Sequence, residues 1–214
     1  MTTTDSFTRC WKSAGVRRLL LLWLLALPLG WLQVLPARAE SAAEITQMRL
    51  ERDTEGILLY ATLRVDLPPA VEEALMKGVP MVFVAEAEVM RHRWYWSDKV
   101  VASVQRHMRL AYQPLTRRWR LHIASGPITA SSAGMTLSQS FDTLAEAMAA
   151  LRRLSGWKVA DASVLDSGAT HKVEFRFGLD LEQLPRPFQI GAFGQSDWTI
   201  AARATQQIGP EAPK

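Results

Sequence analysis

The sequence predicts a mainly β protein: an antiparallel β-sandwich of immunoglobulin-like general character, with two short α-helices, after an N-terminal signal helix. Many short segments alternate apolar and polar residues, and turn signals separate them at frequent intervals. Only two segments combine helix-starting residues with an apolar stripe. The alternation is clearest over residues 81–125. A curled sheet packed on the second helix is the other architecture compatible with these patterns.

Residues 1–39 have the features of a secretory signal peptide. Basic residues up to Arg18 precede an uncharged, leucine-rich run over residues 19–37, and Ala37-Arg38-Ala39 stands before Glu40. A basic region, an apolar core and an A-x-A site are typical of a cleavable signal. We predict cleavage after Ala39 and a periplasmic location. The alternative is an uncleaved signal anchor, because the apolar run is long enough to span a bilayer.

The charge balance argues against a nucleic-acid partner. The whole chain carries a net charge of +4, but the excess of basic residues lies in the signal segment, and the rest of the chain is balanced. Cys10, the sole cysteine, also lies in that segment. The exported chain is therefore expected to have no disulfide, no cysteine metal ligand and no cofactor. A membrane contact is expected only if the signal stays uncleaved.

The domain organisation predicted from composition is simple. Residues 40–208 form a single β-rich domain, and residues 209–214 form a disordered tail rich in proline. The domain opens with strands over residues 45–51 and 57–66, joined by a turn whose Asp53 and Gly56 suit it. A short helix follows, capped by Asp66 and stopped at Gly78.

Residues 81–125 predict three consecutive antiparallel strands. The expected register places Leu110 opposite Trp119 inside, and Arg109 opposite Arg120 outside. Glu86 would then lie beside Arg109 and Glu88 beside His107, forming a charge ladder on the outer face. This register puts Arg106 on the inner face. A helical spacing over residues 100–111 is the competing interpretation.

A β-bulge in residues 90–93 is predicted as well. Without a bulge, Trp94 and Trp96 fall on the outer face and Arg93 on the inner one. A bulge exchanges the faces, which buries the aromatic rings and returns the guanidinium group to water.

The second half of the domain contains a helix between strands. Thr143-Leu144-Ala145-Glu146 forms a capping box, and an apolar stripe predicts a helix over residues 144–154 that ends at Gly156. Residues 184–190 are expected to be extended because of Pro185 and Pro187. The remaining predicted strands cover residues 135–141, 157–160, 171–179 and 198–204.

The sequence offers no catalytic motif. A serine nucleophile would need a G-x-S-x-G elbow or a Ser, His and Asp set, and neither is visible. His107, His122 and Glu88 could approach one another on the outer face, but no H-x-x-x-H or H-E-x-x-H spacing supports them. We therefore predict no metal site and keep these three residues as weak candidates.

The strongest binding candidates are aromatic and arginine residues. Arg93, Trp94 and Trp96 are close in sequence, and Arg186 and Trp198 would join them if the fold brings the segments together. Tryptophan and arginine are the residue types enriched at interaction hot spots. The alternative is that Trp94 and Trp96 are core residues at the bulge.

Several fragments of the sequence resemble a known family. They are KGVP at residues 77–80, RWYW at 93–96, DK at 98–99, LAYQPLTR at 110–117, LRR at 151–153, SGW at 155–157 and LPRP at 184–187. With the signal segment, they are similar to a proteobacterial family called domain of unknown function 4390. The resemblance implies an exported single domain with no assigned activity. Members are encoded near a membrane-bound sensor histidine kinase, which would imply an accessory role at the envelope.

Two hypotheses about function follow. The first is a non-enzymatic periplasmic or envelope module that binds a protein partner, such as a membrane sensor histidine kinase. The second is a metal-dependent or carbohydrate-active periplasmic enzyme that uses the outer-face histidines and carboxylates. A deep, histidine-lined pocket would favour the enzyme, whereas an exposed apolar patch or an open sheet edge would favour the binding module.

Overall fold

The computed structural model describes residues 42–93, 95, 97–126, 137–166, 168–192 and 198–210. In these residues the chain forms two antiparallel β-sheets and three short α-helices. The mainly β prediction is therefore confirmed. The predicted signal segment, Trp94, Trp96, the start of the strand predicted at 135–141 and the end of the tail lie outside the described residues.

The elements follow one another in the order given by their numbers. The small sheet consists of β1 (Ala43–Asp53), β2 (Gly56–Val65) and β7 (Arg153–Asp161), in the order β1-β2-β7. The large sheet has the order β6-β5-β4-β3-β8-β9 and consists of β3 (Met81–Arg91), β4 (Lys99–Gln113), β5 (Arg118–Ser125), β6 (Leu137–Phe141), β8 (His171–Leu179) and β9 (Ala201–Ile208). The helices are α1 (Pro69–Met76), α2 (Leu144–Leu151) and α3 (Arg186–Ala192), and a 3₁₀ turn covers Ala162–Val164.

The two sheets share one apolar core. Side chains alternate along each strand, so every second residue of β3 and β8 points towards the small sheet. Phe83 and Phe177 stack with ring centroids 5.8 Å apart. Trp157 of the small sheet meets Phe175 edge-on at 6.3 Å. This contact between the sheets is typical of a sandwich.

The strand registers define two ends of the sandwich. Along β3 and β8, Arg91 pairs with His171 at one end and Phe83 with Leu179 at the other. Arg52 contacts His171, so the β1–β2 turn lies at the first end, which we call the His171 end. The opposite end, which we call the α1 end, holds the start of β1, α1 and the β4–β5 turn.

Helix α1 begins differently from the prediction. Its N-cap is Pro68, with no capping side chain, so the predicted Asp66 cap is wrong. Proline suits this position because the first amide groups of a helix have no intrahelical acceptor. The helix ends as predicted, since Gly78 adopts a positive φ of 85°.

Helix α2 confirms the predicted capping box but is shorter than expected. The Glu146 amide donates to Thr143 Oγ1 at 3.2 Å, and the Glu146 carboxylate accepts from the Asp142 amide at 3.2 Å. The helix ends at Leu151, and Leu154 and Gly156 lie in β7. Pairing of β7 with β2 takes over from residue 153, because tertiary pairing overrides local helix propensity.

The predicted registers of β3, β4 and β5 are wrong by an even number of residues. Leu110 pairs with Leu121, and Arg109 pairs with Val82 and His122. The β4–β5 turn lies one residue further along the chain than that register requires, with Gln113 opposite Arg118 and Arg117 at φ 54° before β5 begins. An even shift keeps each side chain on its face, so Leu110 and Trp119 are buried as predicted. Val100, which was also expected on the inner face, lies beyond the bulge and is exposed.

A bulge lies close to the predicted position but on the other strand. The β3–β4 register shifts between Val89 and Met90, and Val101 is the extra residue on β4. The predicted bulge within residues 90–93 of β3 is therefore wrong in location. The helical interpretation of residues 100–111 is excluded, because they belong to β4.

The proline-rich segment near the C-terminus is helical. The prediction of an extended conformation over residues 184–190 is wrong, because α3 begins at Arg186. Pro187 falls in the first turn of the helix, where the missing amide hydrogen is not needed. The Pro185 carbonyl accepts hydrogen bonds from the Phe188 and Gln189 amides at 2.9 and 3.2 Å. The closing strand, β9, starts at Ala201 rather than at Trp198.

Candidate functional site

The predicted hot-spot residues do not form one cluster. Arg93 lies at the His171 end, just beyond β3, whereas Arg186 and Trp198 lie at the α1 end. The nine residues of β8 separate the two groups by roughly 26 Å. Trp198 is only 7% exposed and packs on Phe188, so its ring belongs to the core. Trp94 and Trp96 are outside the described residues, and a binding role for Arg93 and Arg186 stays a prediction.

The weak metal candidates are engaged elsewhere or isolated. Glu88 accepts a hydrogen bond from Arg176 at 2.6 Å. His122 pairs with Arg109, and burial together with Arg120 and Arg109 lowers its pKa. His107 is 4% exposed, and burial lowers its pKa too. Across the described part of the chain, no three His, Cys, Asp or Glu side chains form a group that could hold a metal ion.

The outer face of the large sheet carries a charge ladder, but its basic residues come from β8 and β9. Arg176 contacts Glu86, Glu88 and Glu174 at 3.3, 2.6 and 3.6 Å. Arg203 extends the ladder to Glu174 at 2.6 Å, and this hydrogen bond is the main reason why the pKa of Glu174 is lowered.

The predicted pairing of Glu86 with Arg109 is therefore wrong. Glu86 lies opposite Gln105, which donates a hydrogen bond to it at 3.0 Å. The predicted pairing of Glu88 with His107 is also wrong, because Glu88 lies opposite Ser103. Both errors arise because β3 ends at Arg91 and β4 begins at Lys99, so the connection between them is longer than the predicted register requires.

Strand β4 has two halves with different neighbours. It has 15 residues, whereas β5 has 8. Residues 107–113 all pair with β5, and residues 107–110 pair with β3 on the other side as well; we call residues 107–113 the paired half. Residues 99–106 pair with β3 alone among the described strands; we call them the open half. At its inner end, the Gln105 carbonyl accepts from the Gly126 amide at 3.1 Å.

Among the described residues, no strand lies against the second edge of residues 99–104. Val100 is 50% exposed, and Ser103 and Gln105 are also exposed. A strand edge presents unpaired amide and carbonyl groups at regular intervals, which is a template for another strand. The short edge strand β6 is less suitable, because its five residues offer fewer hydrogen-bonding groups.

Arg106 lies at the inner end of the open half, between the sheets. Its guanidinium group stacks over the Trp157 ring, 4.9 Å from the centroid. Within residues 42–210, the described side chains place no carboxylate at ion-pair distance from Arg106. Burial lowers its pKa. The sequence signal for this arrangement was an arginine at an inward position of an alternating strand.

The His171 end is held by polar contacts around a buried histidine. Arg52 Nη2 lies 3.2 Å from Nδ1 of His171, which is fully buried. Burial and the Arg52 charge lower the pKa of His171. Arg91 pairs with Asp166 at 3.4 Å and His92 with Asp98 at 3.0 Å. These contacts connect β1, β3, β8 and the β7–β8 connection, so we assign them a structural role.

Two shallow depressions lie on the described surface. One of about 300 Å³ lies over Val84 and Gly178 on the outer face of the large sheet. Another of about 400 Å³ lies beside Tyr60 and Arg153 on the small sheet. Neither has a histidine in its lining.

Comparison with known proteins gives one result. The family described as Domain of unknown function (DUF4390) matches residues 40–208. The chain belongs to this family. Neither a curated protein nor a solved structure matches the DUF4390 chain.

Three fragments that carry the family resemblance coincide with unusual backbone positions. Gly78 in KGVP, Arg117 in LAYQPLTR and Gly156 in SGW have φ values of 85°, 54° and 58°. These residues set the end of α1, the β4–β5 turn and the irregular pairing of β7 with β2. None of the helices in the described part of the DUF4390 chain is long and apolar enough to cross a bilayer.

Proposed function

We propose that this DUF4390 protein is an exported, non-enzymatic envelope module that binds a protein partner. The observation that carries the proposal is the open half of β4, where β3 is the only described strand that pairs with the backbone of residues 99–104. An extended segment of the partner would add to the large sheet there, with main-chain hydrogen bonds giving affinity and side chains giving specificity. A membrane-bound sensor histidine kinase is the partner that the family resemblance suggests.

The charges around the open half define the partner segment further. Lys99 and Arg106 lie at its two ends, and the described side chains offer Arg106 its contact with Trp157 but no carboxylate. A carboxylate on the added segment would give Arg106 a charge-assisted hydrogen bond in a partly dehydrated position. The segment should therefore alternate apolar and polar residues and carry an aspartate or glutamate near Arg106.

Selection from a phage-displayed library of peptides that are roughly ten residues long tests this proposal. We expect the protein to enrich extended, alternating peptides that contain an acidic residue. Backbone amide shifts in an NMR titration with a synthetic selected peptide should then map to residues 99–104. The edge strand β6 serves as an internal control and should not shift.

Arg106→Gln tests the acidic preference. The variant should lose roughly tenfold in affinity for the selected acidic peptide, because one charge-assisted hydrogen bond is worth about 1.5–3 kcal/mol. Arg153→Gln, on the exposed part of β7, is the matched control and should bind as the wild type does. Shifts confined to β6 or β9, or no enrichment of alternating peptides, would refute the proposal.

Export is tested independently. If the signal is cleaved as proposed, the intact mass of protein released from the periplasm should correspond to a chain that begins at Glu40. Recovery of the full-length chain in the membrane fraction would support the anchored alternative instead.

A further inference from the structure

The outer face of the small sheet carries two neighbouring rows of polar side chains. Arg49 of β1 pairs with Tyr60 of β2, and Gln47 pairs with Thr62, which pairs in turn with Arg153 of β7. Tyr60 and Thr62 lie two residues apart on one strand and therefore share a face, and the residue between them is buried in the core. All five side chains line the depression of about 400 Å³ described above.

The pairing of β2 with β7 leaves one side of the Tyr60 ring open. The register shifts at Tyr60, so Ser155 and Gly156 both lie opposite it. Gly156 has a φ of 58°, and a Cβ atom on it would lie 4.0 Å from the Tyr60 hydroxyl. A larger residue would fill the space beside the ring, whereas glycine leaves that side accessible to a ligand. On the β1 side, the Arg49 guanidinium group lies over the ring, 5.5 Å from its centroid.

The depression holds one positive charge that the described side chains do not neutralise. Arg49 forms an ion pair with Glu51. The Tyr60 hydroxyl donates a hydrogen bond to Glu51, which raises the pKa of Tyr60, so the phenol stays protonated. Arg153, by contrast, is exposed and has no carboxylate at ion-pair distance among the described side chains. The site therefore favours a ligand with a single negative charge.

The neutral groups around Arg153 suit a ligand with several hydroxyl groups. Gln47 has an amide, Thr62 and Ser155 have hydroxyls, and all three side chains are exposed and both donate and accept hydrogen bonds. The Tyr60 ring adds a flat apolar surface. The guanidinium fork of arginine matches a planar carboxylate through two parallel hydrogen bonds. A phosphate group fits less well, because it carries a charge of about −1.5 to −2 and the site offers one cation.

We propose that this depression binds a sugar acid, which is a pyranose ring that carries one carboxylate, as in a uronic acid. The carboxylate pairs with Arg153, the C–H groups of the ring pack against Tyr60, and the sugar hydroxyls bond to Gln47 and Thr62. A free uronic acid and a uronic acid residue within a polysaccharide share this chemistry. The site lies on the small sheet and shares no residue with the open half of β4, so it is independent of the proposed function.

An NMR titration of the isotope-labelled protein tests the site. Galacturonic acid is the probe, and galactose, which has the same ring without the carboxylate, is its matched control. We expect saturable shifts centred on residues 47–49, 60–62 and 153–156 with galacturonic acid. Galactose should bind about tenfold more weakly, because it lacks the charge-assisted hydrogen bond to Arg153. Acetate, which has the carboxylate without the ring, should also bind more weakly than galacturonic acid.

A trimer of galacturonic acid distinguishes the two sources of the ligand. Tighter binding of the trimer than of the monomer would indicate a polysaccharide, and equal binding would indicate a free sugar acid or a single terminal residue.

Two charge variants on β7 locate the contact. Arg153→Gln should weaken the binding of galacturonic acid about tenfold and leave peptide binding at the open half unchanged. Lys158→Gln is the matched control, because it removes a cation from the same strand outside the depression, and it should bind galacturonic acid as the wild type does. Arg106→Gln should show the reverse pattern, with peptide binding weakened and sugar binding kept. Failure of this proposal is therefore distinguishable from failure of the proposed function.

Two substitutions of Tyr60 test the packing of the sugar ring. Tyr60→Leu removes the flat ring and should weaken the binding of galacturonic acid severalfold, whereas Tyr60→Phe keeps the ring and should bind nearly as the wild type does. The proposal would be refuted by an absence of shifts in the lining residues or by equal binding of acetate and galacturonic acid. Equal binding by Arg153→Gln and Lys158→Gln would refute it as well.

Discussion

The two halves of β4 differ in what surrounds the same strand. In the paired half, Met108 and Leu110 are 2% and 0% exposed, and strands cover both edges. In the open half, Val100 is 50% exposed, and one edge has no strand among the described residues. The difference arises because β5 ends seven residues into its pairing with β4. One strand is therefore buried between two neighbours at one end and, among the described strands, has a single neighbour at the other.

Truncating a core-facing side chain in each half of β4 should give the largest difference in unfolding free energy. Leu110→Ala should lower the free energy of unfolding by about 2–5 kcal/mol, through lost burial and an unfilled cavity. Val104→Ala, in the open half, should lower it by about 1 kcal/mol, because Val104 is only half-buried. Urea denaturation of both variants measures the difference. Equal losses would mean that the open half is packed as tightly as the paired half.

Lowering the pH should destabilise the fold through His107, the first residue of the paired half. Burial lowers the pKa of His107, and the Asp180 charge opposes this shift only in part. The unfolded chain therefore binds a proton more readily than the folded one below a pH of about 6.5. The stabilisation from neutral His107 is complete above that pH and is lost as the pH falls.

We expect His107→Gln to flatten the decrease in unfolding free energy between about pH 7 and pH 5. Denaturation curves at several pH values measure this. Met108→Leu, the neighbouring substitution without a titrating group, should keep the wild-type pH profile. An unchanged profile in His107→Gln would place the acid sensitivity elsewhere, with His122 and His171 the next groups to test.

The smallest effect concerns the charge ladder that lies over the open half. Glu88, opposite Ser103, should couple to Arg176 by about 0.2–1 kcal/mol in a double-mutant cycle with Glu88→Gln and Arg176→Gln. The coupling should shrink as salt is raised. Glu86 and Arg109 form the control pair and should show no coupling, since Arg109 lies beside Val82. Coupling between Glu86 and Arg109 would mean that the register predicted from the sequence is the correct one.

Periodicity predicted most of the fold. The face of a strand on which a side chain lies depends only on whether its position along the strand is odd or even. Leu110 and Trp119 were assigned correctly to the interior although each was given the wrong partner, since an even register error preserves the face. Turn lengths were less predictable. A left-handed Arg117 leaves no signal in composition, because glycine or asparagine is the residue expected at such a position.

The candidate site was harder to predict, because it depends on which strand ends first. The alternation over residues 99–113 is continuous, and nothing in it indicates that β5 stops opposite His107. Arg106 was placed on the inner face, but its stacking on Trp157 joins residues of different sheets. Trp198 and Arg186 were grouped with Arg93 by residue type, and residue type carries no information about which end of the sandwich a segment occupies.

The two sheets are interleaved along the chain: β1 and β2 are completed only by β7, and β3 to β6 only by β8 and β9. A chain synthesised from its N-terminus cannot complete the small sheet before β7 or the large sheet before β9. Closing the β2–β7 contact orders a long loop, which is slow compared with forming a local hairpin. Until then, the apolar face of the β1–β2 hairpin is exposed. Completion of the fold therefore depends on the last strands. A chain truncated before β8 should be a target for proteases and chaperones rather than a smaller folded domain.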